Sequence, residues 1–193
     1  MKKVGLDDLM GLSAYEKVRT QFRQEMIDYK KNRRLQVGDR VSLVFENRRT
    51  VILQIQEMLR AERITDLDKI KEEVEVYNSL VPDANELSAT LLIEIEDQTK
   101  IRDDLLKFLG IDEAVHLKIG ESQNILATFE EGHSKEDKIS AVQYVRFRLS
   151  PDQRQAFIAG RDEASVLIDH ANYRAEASIW EEMRKSLIQD LTE

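Results

Sequence analysis

Residues 46–64, ENRRTVILQIQEMLRAERI, set three glutamates and two glutamines into a pattern that otherwise reads as a buried helix. Advancing about 100° per residue puts Val51, Ile52, Ile55, Met58 and Leu59 on one arc and Gln56, Glu57, Arg60 and Arg63 on the other. Most of the polar side chains therefore leave the core, and Gln56, Glu57 and Arg60 are candidates for touching a ligand. Glu62 is different. Its angle falls between those of Val51 and Ile55, and a carboxylate inside the apolar arc needs a cation, a metal ion or a proton.

Three histidines offer nitrogen ligands or a general base. His116 alternates away from Val115 and Leu117, so its side chain is expected to face solvent. His133 sits in the polar stretch EEGHSKED, where carboxylates can join it around a cation or the loop can simply be solvated. His170 is the better candidate: in VLIDHANYR it stands where a buried strand ends, with Asp169 before it and Tyr173 three residues on. Asp169 can instead cap the last helix, leaving His170 to pack. Glu57, Glu62 and His170 together make a carboxylate and imidazole set suited to iron, manganese or zinc with an open position. Arg146 and Arg148 share a strand face with Tyr144. Forked guanidinium donors in such a row bind an anion or a carboxylate ligand, or form cross-strand ion pairs on a solvated face.

The elements that must position these residues alternate irregularly. S-A-Y-E from Ser13 is a capping box, and Tyr15, Val18, Phe22, Met26 and Tyr29 recur at helical spacing to about Asn32. The helix finishes in KKNRR, residues 30–34, which complements the helix dipole or, with Arg48 and Arg49, forms a basic face. RVSLVFE alternates as a strand, and Asn47 caps the helix that follows. Asp66 caps a third helix with the stripe Leu67, Ile70, Val74, Tyr77 and Val81, which stops at Pro82. SATLLIEIE is a strand with one face fully apolar. A short helix from about Gln98 ends at Gly110. VHLKIGESQNILATF reads as a hairpin around Gly120, and ISAVQYVRFRL is expected to pair back on it as a three-strand meander. Ser150, Pro151 and Gln153 open a helix closing at Gly160. ASVLID then leads through HANYR into the terminal helix. The expected class is α+β: one compact domain over 1–193, with a largely antiparallel sheet of about five or six strands, about six helices, and the helix at about 13–32 packing peripherally.

Composition narrows the chemistry further. The 193 residues contain no cysteine, which excludes disulfides, thiolate nucleophiles and thiolate-held zinc or iron–sulfur clusters. A net charge of -8 argues against nonspecific nucleic-acid binding. The longest apolar runs fall far short of a membrane span, and MKKVGLDDLMGL lacks the apolar core of a secretory signal, so the cytoplasm is the expected compartment. No phosphate-cradling glycine loop, G-x-S-x-G or H-E-x-x-H occurs.

Four segments in order, FENRRTVILQIQEMLRAERI, YNSLVPDANELSATLLIE, SAVQYVRFRL and IDHANYR, resemble an uncharacterised bacterial family known as domain of unknown function 3501. The resemblance implies one domain of about this size, encoded beside rubrerythrin and a cysteine-rich iron–sulfur oxidoreductase, and hence a role near peroxide or iron redox chemistry. Where that family commonly reads D-H-P-x-Y, this chain has Asp169, His170, Ala171, Asn172 and Tyr173, without the proline. Two functions are expected from these readings. One is an accessory or ligand-binding protein of a redox or oxidative-stress system, with partners of the rubrerythrin or iron–sulfur oxidoreductase type and self-association left open. The other is a metal-dependent enzyme or metalloprotein with a His/Glu site.

Overall fold

The computed structural model describes residues 1–95, 97–130, 134–135 and 138–193; His133 lies outside them. In chain order the elements are α1 (Leu12–Lys31), β1 (Arg34–Val37), β2 (Val41–Glu46), α2 (Arg48–Ala61), α3 (Leu67–Asn78), β3 (Glu86–Ile93), α4 (Ile101–Leu106), β4 (Val115–Ile119), β5 (Gln123–Leu126), β6 (Thr128–Phe129), β7 (Ser134–Lys135), β8 (Lys138–Ile139), β9 (Val142–Arg148), α5 (Pro151–Ala159), β10 (Ala164–His170), β11 (Tyr173–Ser178) and α6 (Glu181–Thr192). The fold is mixed α+β and every strand pairing is antiparallel. The strands divide between a five-stranded sheet, β1-β2-β3-β9-β6, and a four-stranded sheet, β11-β10-β4-β5, with β7 and β8 as a small ribbon.

Period-two burial makes the first sheet two-faced. Leu43 and Phe45 of β2, Leu87, Ala89 and Leu91 of β3, and Val145 and Phe147 of β9 share one apolar cluster with Leu117, Val166 and Ile168 of the second sheet and with Phe157, Met183 and Leu187 of α5 and α6. The other face carries Arg34, Val44, Thr90 and Tyr144, which lie side by side across four strands. A second cluster joins Val51, Ile55 and Leu59 of α2 to Val74 of α3 and to Val4, and Tyr144 packs against it. This is the arc assigned to the core from spacing, so α2 turns its apolar stripe as expected.

Three local expectations are corrected, and one of the two readings of KKNRR is decided. The capping box at Ser13 is not used: α1 begins at Leu12 with Gly11 at its cap and no side-chain cap bond. The three-strand meander does not form. β4 and β5 pair as a hairpin, but the chain leaves that sheet at Ala127 and β6 joins β9 in the other one. β9 pairs with β3 over seven residues because its inward face, Gln143, Val145 and Phe147, completes the larger core. HANYR does not lead directly into the last helix either. Ala171 and Asn172 make a tight turn, and Tyr173–Ser178 returns as β11 against β10. Asp169 therefore caps nothing and faces Arg174 at 3.2 Å across the hairpin. Finally, KKNRR is no continuous basic face. Arg33 is fully buried, pairs with Asp190 and donates to the carbonyl of Phe45 at 2.8 Å, while Arg48 pairs with Asp8 and Arg49 lies 4.4 Å over the Tyr29 ring.

Candidate functional site

The residues singled out from sequence are each engaged, mostly in tying elements together. Gln56, expected on the arc that leaves the core, is instead fully buried, because its side chain pairs with the Met10 backbone: its amide oxygen accepts from Met10 N–H at 2.6 Å and its nitrogen donates to Met10 C=O at 3.1 Å. Glu57 accepts from Tyr15 at 2.6 Å and from Arg19 through both oxygens at 2.8 Å, joining α2 to α1. The Arg19 guanidinium, bonded to it, holds the Glu57 carboxyl down at about 2 against the effect of burial. Arg60 forks onto Glu16 at 2.7 and 3.1 Å. Arg146 and Arg148 both meet Glu86 on the neighbouring strand, and Arg146 also donates to the Ser79 carbonyl. The arginine row is thus a cross-strand ion-pair system, not an open anion clamp. Tyr173 donates to Val37 C=O at 2.6 Å and accepts from Arg40 N–H at 3.1 Å, pinning the β1–β2 turn to the second sheet.

The metal set is not assembled. Glu62 is exposed: α2 ends at Ala61, and residue 62 is its C-cap, beyond the last turn whose apolar side chains reach the core; Arg63, with a φ of 52°, then turns the chain out of the helix. His170 is committed through both ring nitrogens. Its Nε2 lies 2.7 Å from Leu109 C=O and its Nδ1 3.2 Å from Asn172 N–H. A carbonyl can only accept and an amide N–H can only donate, so Nε2 acts as the donor and Nδ1 as the acceptor. It stacks on Phe108 and bonds to Leu109 and Asn172, whereas Glu57 bonds to Tyr15 and Arg19 of α1. Among the described residues no group of three or more His, Asp or Glu side chains is placed to hold a metal ion.

What the structure does form is a groove of about 780 Å³ on the outer face of the five-stranded sheet, roofed on one side by the last turns of α1. Its floor is built from cross-strand neighbours: Val44, Thr90 and Tyr144 on one rung, Leu92 and Val142 on the next. Ile27, Lys30 and Lys31 of α1 and Arg34 of β1 form the rim, and Gln54 of α2 reaches in from the other end. Among the described residues Glu46 is the only acid in the lining.

Glu46 is 3 % exposed. It ends β2 immediately before Asn47, the α2 cap, so the same strand-to-helix junction that buries it also aims it at the groove. Its carboxylate accepts from the hydroxyls of Thr50 and of Thr90, the latter at 2.8 Å, and from the Gln54 amide at 2.9 Å. All three donors are neutral. The other buried carboxylates among the described residues have cations: Glu86 has Arg146 and Arg148, Asp104 has Arg40 and Lys107, and Asp190 has Arg33. Glu46 pairs with none of the described cations; the positive end of α2 offsets part of its charge. Beside it, burial raises the Tyr144 hydroxyl above its ordinary value, with the negative charges of Glu130 and Glu46 adding to the shift. Sequence reasoning passed over Glu46. The available signal was its phase: alternation on β2 puts Phe45 inward and Glu46 on the opposite face, and helix α2 then covers that face.

A crystal structure of a novel protein of unknown function from Burkholderia pseudomallei is 36 % identical, covers 98 % of this chain and 100 % of its own, and superposes with a TM-score of 0.92. No match is found among curated proteins. The model of the family described as Protein of unknown function (DUF3501) matches residues 3–191, and the chain belongs to that family.

Proposed function

We propose that the protein is an accessory, ligand-binding protein of a bacterial redox or oxidative-stress system, and that its ligand occupies the groove over Glu46. The observation that carries the groove is the buried Glu46 carboxylate held by neutral donors alone, where every other buried acid among the described residues has a cation. Burying an unpaired charge is costly, and a fold retains one most readily where something else completes it. The size of the groove falls in the range of small-molecule sites. The redox setting, with partners of the rubrerythrin or iron–sulfur oxidoreductase type in the cytoplasm, rests on the gene neighbourhood that the family resemblance implies. No helix among the described residues is long and apolar enough to cross a membrane.

The test is a small-molecule fragment screen read by methyl-resolved NMR. Binders should move the methyl signals of Val44, Leu92 and Val142 together and leave those of Val166 and Ile168, on the buried sheet, unmoved. A screen in which no compound moves the groove methyls would overturn the proposal.

A further inference from the structure

We infer that the ligand of the groove is a zwitterion of the amino-acid class, an ammonium and a carboxylate joined through an apolar segment. The inference rests on the groove being the ligand site and adds the chemistry of what fills it.

The groove has two poles of opposite sign, and apolar side chains line it beside them. At its base Glu46 supplies a desolvated carboxylate. At its rim stand Lys30, Lys31 and Arg34. Arg34 is already paired with Glu94 at 2.8 Å and Lys31 with Asp28 at 2.7 Å, whereas Lys30 meets no carboxylate among the described residues. Lys30 is half-buried in the last turn of α1. Ile27, Val44, Leu92 and Val142 lie along the groove and offer the apolar surface.

Each simpler ligand fails against one pole. A divalent cation wants about six oxygen ligands, and the described residues of the lining hold a single carboxylate. A plain anion would meet Glu46 at the base, where low dielectric makes repulsion strong. A plain amine would have to pass a basic rim and leave Lys30 without a counter-charge. A zwitterion satisfies both poles: its ammonium completes the Glu46 carboxylate, its acid group takes the Lys30 ammonium, and its carbon chain covers the aliphatic side chains.

Three probes with the same six-carbon body separate these cases: ε-aminohexanoate, hexylamine and hexanoate, each titrated while the Ile27, Val44, Leu92 and Val142 methyls are followed. The zwitterion should bind in the groove at least about tenfold more tightly than either singly charged probe. Glu46→Gln and Lys30→Met should each weaken it by about tenfold, with thermal melts confirming that the variants fold. Should Glu46→Gln fail to fold, Lys30→Met decides alone, since that side chain stands at a helix end. Equal or tighter binding of hexylamine or hexanoate overturns the inference, as does a variant that keeps full affinity for ε-aminohexanoate. If none of the three moves the groove methyls while other fragments do, the ligand class is wrong and the groove survives as a site. If nothing at all moves them, both readings fall together.

Discussion

Glu57 and Glu62 stand five residues apart in one helical segment, yet only the first is fixed in place. Arg19 and Tyr15 give Glu57 three short hydrogen bonds, and its carboxyl is depressed to about 2 from 4.5. A carboxyl whose folded pKa is depressed stabilises the fold above its unfolded value, and that contribution is lost as pH falls through the folded one. Glu57→Gln is therefore expected to cost about 1–2 kcal/mol at neutral pH, allowing for partial exposure. The gap between variant and parent should close as pH drops from 4.5 towards 2. Glu62→Gln, at an exposed helix end, should shift stability by less than about 0.5 kcal/mol at any pH. Urea unfolding of the three proteins across this pH range checks both statements; a constant gap for Glu57→Gln would contradict the ion-pair account.

At the scale of elements, the start of α2 is the most constrained junction. Asn47 caps the helix through Arg49 N–H at 3.0 Å and Thr50 N–H at 3.1 Å, as its residue type alone suggests. Its amide nitrogen does something further, donating to Asp190 of α6 at 2.8 Å and to the Tyr29 hydroxyl of α1 at 2.7 Å. One side chain thus ties α1, α2 and α6 around buried Arg33, and burial pushes the Asp190 carboxyl upward despite that guanidinium. Removing it loses a cap and strips a partner from the buried Asp190 carboxyl and from the half-buried Tyr29 hydroxyl. Asn47→Ala is expected to cost about 2–4 kcal/mol, against about 1 kcal/mol for Ser150→Ala, an ordinary exposed cap at α5. Chemical denaturation of the two variants should rank them in that order, and equal costs would show that the α6 contact contributes nothing.

Across the whole molecule, the two sheets meet where the β1–β2 turn passes β11. Gly38 has a φ of +74°, and a Cβ there would lie 2.3 Å from the Tyr173 oxygen and 2.8 Å from the Ala175 Cβ. The tyrosine cannot swing away cheaply, because its hydroxyl is bonded to both Val37 and Arg40 and its ring centroid lies 5.2 Å from that of Phe108. Gly160 has a similar φ of +66° but a Cβ there meets nothing closer than 4.0 Å. Gly160→Ala should cost only the left-handed backbone penalty, about 1–2 kcal/mol, while Gly38→Ala adds overpacking and should reach about 2–5 kcal/mol. Thermal melts that place the two variants level would remove the close approach of the sheets as the cause.

Much of this architecture follows from local order in the chain. The helix stripe of α2, the caps at Asn47, Asp66 and Ser150, the left-handed cap at Gly160 and the apolar face of β3 depend on spacing and on nearest neighbours, so the α+β class and antiparallel character could be read directly, whereas α4 stops at Leu106, short of the end expected at Gly110. Which strands pair is a different matter. β9 could have closed a meander with β5, and only the match of its inward face to the larger core sends it to β3. The same holds for chemistry. Glu57, Arg60, Arg146 and His170 carry site-like side chains, but partners distant in sequence consume them: Arg19, Glu16, Glu86 and Leu109. Glu46 is conspicuous only after β2, β3 and α2 have come together, because being the buried acid without a described cation is a property of its surroundings. Periodicity records which face a residue takes; charge compensation is a long-range sum, and only the folded chain carries it out.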